Sequence, residues 1–355
     1  MADADKGVVQ TTEPDDRVTF DSHAVTINVS SNEVSKKVGG AVEMVATPWV
    51  RFVNLIYGRE FLAEFLATFM LVIMGNGAAA QVILGKTASP FNFGEELSIN
   101  IGYGCGAAMG AYIAGGVTGG HMNPAVTLAM ALRGRTPWKK VIPYWIAQML
   151  GGFFSAVMLY AVYIDAVYAV RCNGPHKAVN CTAGVWASYP HAYLSLHNGF
   201  LDQVFGTFLL VVGIFSVCDS KNSEPVSGLK PLPIGLLVTG IGLSFGLNCG
   251  YAINPARDFA PRLFTAMAGW GADVFVCSTC GKIRHWWWVP VIAPMVGAAL
   301  AAGIYWLLIE AHHPKDAVSP HFDGGTGTSA GTNAGTSATT SVANKDYSPP
   351  PAFEQ

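Results

Sequence analysis

Charge is what this chain has least of. Asp, Glu, Lys and Arg make up 12% of its 355 residues, against roughly 25% in an average soluble domain. The shortage is concentrated: none of the four occurs from Leu97 to Leu132, from Val141 to Ile164, from Pro231 to Ala256 or from Trp286 to Ile309. Each run exceeds the roughly 20 residues that cross a hydrocarbon core. None carries the polar face, at a period of 3.6, that a helix of a soluble bundle needs, so a water-soluble fold is excluded. Other absences exclude function classes. Paired carboxylates, a nucleophile beside a base and a complete metal set do not converge within the apolar runs, so neither an enzyme nor a cofactor or metal site is expected. Nucleic acid is not expected as a partner. The N-terminus lacks the basic start and apolar run of a signal peptide, so the first span is expected to serve as the insertion signal.

Cysteine is sparse as well, at seven residues. Cys105, Cys218 and Cys249 lie in or beside apolar runs and read as small core residues. Cys172 with Cys181, and Cys277 with Cys280, fall in predicted outer loops where disulfides can form. The Cys277-x-x-Cys280 pair followed by His285 touches a zinc pattern but does not complete four ligands.

What is present is apolar, at 51% hydrophobic residues with 40 glycines. Two weaker runs, Phe65 to Leu84 after Glu64 and Gln203 to Cys218 after Asp202, bring the spans to six. The fold class is therefore an all-α membrane protein. Residues 1–50, with eight acids and four bases, and residues 316–355, rich in Gly, Ser, Thr, Ala and Pro, are expected to be disordered tails around a domain at 51–315. With both termini cytoplasmic, the inner flanks hold Arg51, Arg59, Arg133, Arg135, Lys139, Lys140, Lys221, Lys230 and Lys315. The outer loops then hold only Lys86, Arg171, Lys177, Lys282 and Arg284, an excess that favours this orientation. Asn180 of Asn180-Cys181-Thr182 falls outside in it, as a glycosylation acceptor must, whereas Asn28-Val29-Ser30 falls inside.

The chain also repeats itself. Asn123-Pro124-Ala125 and Asn254-Pro255-Ala256 each follow a long apolar run and precede a shorter one, and Glu64 to Phe69 aligns with Gln203 to Phe208. Polar residue, spans and tripeptide recur in one order, giving repeats at about 58–165 and 198–310. Each repeat has three spans, an odd number, so the second enters the bilayer inverted. The 36 uncharged residues from Leu97 to Leu132 are too many for one crossing. They read as a span to about Gly116, a turn through Gly119-Gly120-His121-Met122 and a half-helix from Pro124. The second repeat does the same, with a span from Pro231 to about Leu247, a turn through Asn248-Cys249-Gly250 and a half-helix from Pro255. A Pro suits the first helical position, where its missing N–H costs nothing. Irregular backbone at membrane depth requires burial in protein or a water-filled cavity, so the two half-helices are expected to meet near the midplane beside a pore.

Both half-helix N-termini then add partial positive charge at the centre, and Asn123 and Asn254 cap the helices and offer amide donors to whatever passes. Cations and protons are disfavoured there. Glu64, an ionisable group beside a span, reads as a proton carrier or as structural support; its counterpart Gln203 cannot carry a proton, which favours hydrogen bonding to the turns.

These motifs, Gly-His-Met-Asn-Pro-Ala-Val and Gly-Tyr-Ala-Ile-Asn-Pro-Ala-Arg-Asp-Phe, resemble the signatures of the aquaporin family, and the likeness covers about residues 52 to 312. The resemblance implies a homotetramer in the cell membrane. Each subunit would have six tilted helices, two half-helices and its own pore for small neutral solutes. It maps the narrow part of the pore to Tyr103, Gly242, Tyr251 and Arg257. Water-selective members usually have His at the position of Gly242 and a small residue at that of Tyr251. A missing imidazole and two aromatic rings imply a wider opening with an apolar wall, opposite Arg257 and carbonyls that meet hydroxyls. Asp258 and Arg262 also look like the glycerol-conducting branch, whose members more often carry Trp or Phe where this chain has Tyr103. His121 either lines the inner mouth or gates it between pH 5 and 8. The expected cargo is glycerol with water and urea. The alternatives are a strictly water-selective channel, a coupled transporter with mid-membrane carboxylates and an adhesive or scaffolding membrane protein.

Overall fold

A computed structural model describes residues 58–170, 182–277 and 280–314. The tails at 1–50 and 316–355, the pair Cys172 and Cys181, and Asn180 lie outside the described residues. Helix α1 spans Gly58–Ala88, α2 Glu96–Ala114, α3 Pro124–Leu132, α4 Val141–Ala169, α5 Leu196–Val217, α6 Pro231–Phe245, α7 Pro255–Thr265 and α8 Val289–Leu308. Helices α3 and α7 are the half-helices, with 9 and 11 residues. No strand occurs among the described residues. By length and composition four helical stretches suffice to cross a membrane, those of α1, α4, α5 and α8. Helices α2, of 19 residues, and α6, of 15, run instead into the turns that feed the half-helices.

Two helices start well before the apolar runs that announce them. Helix α1 begins at Gly58 rather than near Phe65, and α5 at Leu196 rather than near Gln203. Each absorbs polar residues because it finds partners for them. Glu60 accepts from Lys140 Nζ at 2.7 Å and from Tyr144 Oη at 3.0 Å, and Asp202 accepts from Asn248 Nδ2 at 2.7 Å.

Packing follows the duplication. Helix α1 lies against α2 and α4, α5 lies against α8, and α2 meets α6 across the repeat boundary. The half-helices are exchanged: α3 packs on α8 and α7 packs on α4. Two glycines make equivalent close approaches. A Cβ on Gly151 of α4 would overlap the carbonyl oxygen of Phe65, and one on Gly297 of α8 would overlap that of Val204. Phe65 follows Glu64 and Val204 follows Gln203, so each repeat seats its last helix on the carbonyl beside its buried polar residue.

The distribution of polarity is inverted relative to a soluble bundle. Ile142, Ile146, Leu150, Phe154, Met158 and Val162 are exposed at every fourth position of α4, a continuous apolar face suited to lipid. Glu64, Gln148, Gln203, Asp258 and Arg262 are fully buried.

Candidate functional site: a pore between the half-helices

The two turns are built alike. Asn123 has extended backbone, with φ −154° and ψ 121°, and its side chain accepts from Ala125 N at 2.9 Å. Asn254, at φ −151° and ψ 108°, accepts from Ala256 N at 3.0 Å and Arg257 N at 3.2 Å. These are N-caps, with Pro124 and Pro255 in the first turn that follows. The remaining amide ends cross over. Asn123 Nδ2 donates to Ile253 O at 2.9 Å and Asn254 Nδ2 donates to Met122 O at 2.8 Å, so each asparagine ties its turn to the other repeat. One N–H of each amide is left for the space between them, since the group carries two donors.

The residues that receive these bonds are strained. Met122 has φ 52° and Ile253 φ 33°, a left-handed region costly for bulky side chains and for β-branched ones above all. Glu64 and Gln203 hold them there. Glu64 accepts from Met122 N at 2.8 Å, His121 N at 3.0 Å, Thr118 Oγ1 at 2.5 Å and Gln148 Nε2 at 2.7 Å. Gln203 accepts from Ile253 N at 3.0 Å and donates to Gly250 O at 2.9 Å. The residue before each tripeptide thus bonds to the same position of each repeat, and an amide suffices in one of them.

Between the turns lies a cavity. At one end it is bordered by Cys218, Ile214, Ile234 and Met130. It passes Asn123 and Asn254 and reaches Tyr103, Tyr251 and Arg257 at the other. Its walls differ in kind. Leu71, Ala107, Val126, Leu210 and Val238 give apolar side chains, whereas Gly119 to Asn123 and Ala252 to Asn254 bring the irregular backbone of the two turns. His121 borders it too, with Nδ1 3.1 Å from Thr127 Oγ1 and Nε2 3.5 Å from Thr136 Oγ1, its ring edge-on to Tyr144.

At the Tyr251 end three of the four residues mapped to the narrow part border the cavity; Gly242 lies just behind Tyr251. The rings of Tyr103 and Tyr251 meet at 77° with centroids 5.8 Å apart. The Arg257 guanidinium stands 4.6 Å from the Tyr103 ring centroid, a cation–π contact. The Tyr103 hydroxyl donates to Asn76 Oδ1 in α1, so its proton is engaged away from the lumen. A Cβ at Gly242 would stand 2.6 Å from Tyr251 Cζ and 2.5 Å from Asn100 Oδ1. The space vacated at 242 is therefore partly taken by the Tyr251 ring.

Asp258 and Arg262 form the second layer. Arg262 Nη2 donates to Asp258 Oδ1 at 2.8 Å and to Ser188 O at 2.6 Å, and Arg262 Nη1 donates to Val274 O at 2.7 Å. Asp258 Oδ2 accepts from Ser188 N at 2.7 Å and Ser188 Oγ at 2.5 Å. This pair binds α7 to the segment before α5 and to the one after α7. In the latter segment Cys277 and Cys280 form a disulfide, and no metal-ligand cluster occurs among the described residues.

At the Cys218 end, Asp219 ties the close of α5 to the chain beyond α8. Its Oδ2 lies 2.7 Å from His313 Nε2 and accepts from Tyr305 Oη at 3.0 Å, and its Oδ1 accepts from Lys221 N at 3.0 Å. Burial alone would raise its pKa, but the bonds from His313, Lys221 and Tyr305 outweigh it and hold the carboxyl below the usual range. Because the folded-state pKa is the lower one, this stabilisation is present at neutral pH and is lost as pH falls through that pKa, below about 4. The unfolding midpoints of the parent and of Asp219→Asn should therefore differ at pH 7 and converge below pH 4. A constant difference across that range would remove the linkage.

Sequence reasoning passed over Asn76, Asn100, Gln148 and Ser188. The first three carried a signal, each being an uncharged polar residue within or beside an apolar span, the class that must find partners when buried.

A profile of the major intrinsic protein family matches residues 51–305. Aquaporin-10 of Milnesium tardigradum is 44% identical over 275 residues, which cover 75% of this chain and 66% of that protein. Aquaporin-9 of Homo sapiens is 46% identical over 259 residues, 72% of this chain and 84% of the relative. The crystal structure of the aquaglyceroporin from Plasmodium falciparum superposes with a TM-score of 0.62 at 28% identity, covering 71% of this chain and 97% of that one. With two inverted half-helices capped by asparagine and meeting at a cavity, and relatives of this kind along the same residues, the chain belongs to the major intrinsic protein family.

Proposed function

We propose that the chain is a passive channel for glycerol and other small neutral solutes, urea among them, as well as water. It works as a homotetramer in the cell membrane, with both termini and the Cys218 end of the pore in the cytoplasm. The observation that carries this reading is the two-sided wall of the cavity. A polyol presents hydroxyls along one edge and carbon-bound hydrogens along the other, and a lumen with apolar side chains opposite turn backbone and two asparagine amides suits both at once. The inward-facing helix N-termini and the Arg257 guanidinium place positive potential along that path, which opposes cations and protons.

Tyr103, Gly242, Tyr251 and Arg257 act as the filter, Asp258 and Arg262 brace it, and Glu64 and Gln203 support the turns. The aquaglyceroporin from Plasmodium falciparum gives the glycerol reading its precedent. A strictly water-selective channel fits less well, because Gly242 and Tyr251 depart from the small opening that such a pore requires. A coupled transporter would need carboxylates in the lumen, and Glu64 stands behind the lining with its oxygens occupied.

Stopped-flow light scattering on proteoliposomes tests the reading. In an inward glycerol gradient, vesicles holding the protein should reswell at least about tenfold faster than empty ones, with ion conductance unchanged. Fast water flux with glycerol flux at the empty-vesicle rate would mark a water-selective pore. Saturable, ion-dependent uptake would mark a transporter.

A further inference from the structure

Three buried polar atoms near the filter make no hydrogen bond among the described residues: Arg257 Nη1, which is 3.6 Å from Asp258 Oδ2, the Tyr251 hydroxyl and Asn100 Oδ1. Tyr251 and Asn100 are only 6% and 3% exposed. A buried hydroxyl or amide left unpaired is costly, and native proteins leave few of them. The Tyr251 hydroxyl and Asn100 Oδ1 are neighbours. They lie on the same side of Gly242, where the Tyr251 ring end and the Asn100 oxygen come within 2.6 Å and 2.5 Å of the point a Cβ would occupy. Tyr251 also borders the permeation cavity. Asn100 is fixed from behind, since its backbone carbonyl accepts from Thr239 Oγ1 of α6 at 3.3 Å.

We propose that Asn100 is a specificity-determining residue, and that its amide oxygen and the Tyr251 hydroxyl form a polar subsite beside Gly242 that receives one hydroxyl of a passing polyol. The chemistry is complementary. A hydroxyl accepts one bond and donates another, so it takes the proton of Tyr251 and gives its own to Asn100, satisfying both orphans together. The missing Cβ at Gly242 is what lets the two polar atoms share one side of α6. On this account Tyr251 is not only apolar wall: its ring faces the carbon-bound hydrogens, and its tip, displaced slightly from its seat on Gly242, reads a hydroxyl. Discrimination among solutes of one width then follows from hydrogen bonding rather than from size.

The proposal rests on the glycerol reading above, and the test separates the two. Glycerol and water fluxes are measured in proteoliposomes for the parent, Tyr251→Phe, Asn100→Leu and the double variant, with 1,2-propanediol as a solute lacking one hydroxyl. Tyr251→Phe keeps the ring and removes only the hydroxyl, so it carries the test even if Asn100→Leu does not fold. The glycerol-to-water ratio should fall roughly three- to tenfold in each single variant, the worth of one hydrogen bond. The glycerol-to-propanediol ratio should fall with it. The double variant should lose little more than either single, because the two groups act on one hydroxyl. If the parent conducts glycerol but Tyr251→Phe leaves both ratios within about twofold of it, or the two losses multiply as independent effects do, the subsite is wrong and the channel reading stands. If the parent itself passes no glycerol, both fail.

Discussion

Arg262→Met is expected to destabilise the folded protein by about 3–5 kcal/mol, the cost of removing one partner from a buried ion pair. Methionine replaces much of the stem's volume but none of its donors. The Asp258 carboxylate, fully buried, would lose both guanidinium bonds on Oδ1, and the carbonyls of Ser188 and Val274 would lose theirs. Damage should spread to the filter, because Arg257 lies next in the chain to Asp258 and its Nη1 is 3.6 Å from Asp258 Oδ2. Unfolding in detergent reads the effect as a lowered midpoint. Adding Asp258→Asn removes the stranded charge while keeping an acceptor for Ser188, so the double variant should be more stable than Arg262→Met alone. A single variant within about 0.5 kcal/mol of the parent, the range of ordinary surface changes, would show that the pair does not brace α7.

Gly242→His is expected to cut glycerol flux about 5- to 150-fold, if an overpacking cost of about 1–3 kcal/mol falls on the conducting conformation. The reason differs from simple narrowing. The imidazole would have to enter where the Tyr251 ring and Asn100 oxygen already sit, so both side chains compete for one place and water flux should fall as well. Gly242→His with Tyr251→Ala resolves the conflict by emptying the tyrosine's place. That double variant should recover water flux and not glycerol flux. Glycerol recovering in step with water would mean that width at this point does not set the choice of solute.

The contrast between those two residues shows where the sequence could be read and where it could not. The half-helices were legible because Asn-Pro-Ala is a helix start in any context and because charge-free runs of such length admit few folds. Glu64 and Gln203 could be paired because buried polar residues are rare in apolar spans, and each indeed bonds the residue before its tripeptide. The seating of Tyr251 on Gly242, and the diversion of the Tyr103 hydroxyl to Asn76, were not legible. They depend on rotamers and on contacts between α1, α2 and α6 and the second turn, and no local periodicity encodes a contact between distant segments. The apolar runs begin later than α1 and α5 themselves, because an acid interrupts hydrophobicity although its partner, such as Lys140 or Asn248, lets the helix continue through it.

The exchange of half-helices has a consequence for how the molecule is made. A ribosome delivers the first repeat complete before any of the second exists, yet α3 finds its main helical seat on α8 and its turn is tied down by Asn254. Synthesis therefore leaves the earlier half-helix waiting for the last span to emerge, while α7 meets a waiting α4 almost as soon as it is made. Chains cut short before Val289 would carry an α3 without its main seat, and quality control in the inserting membrane would meet them as incomplete whatever the state of the rest.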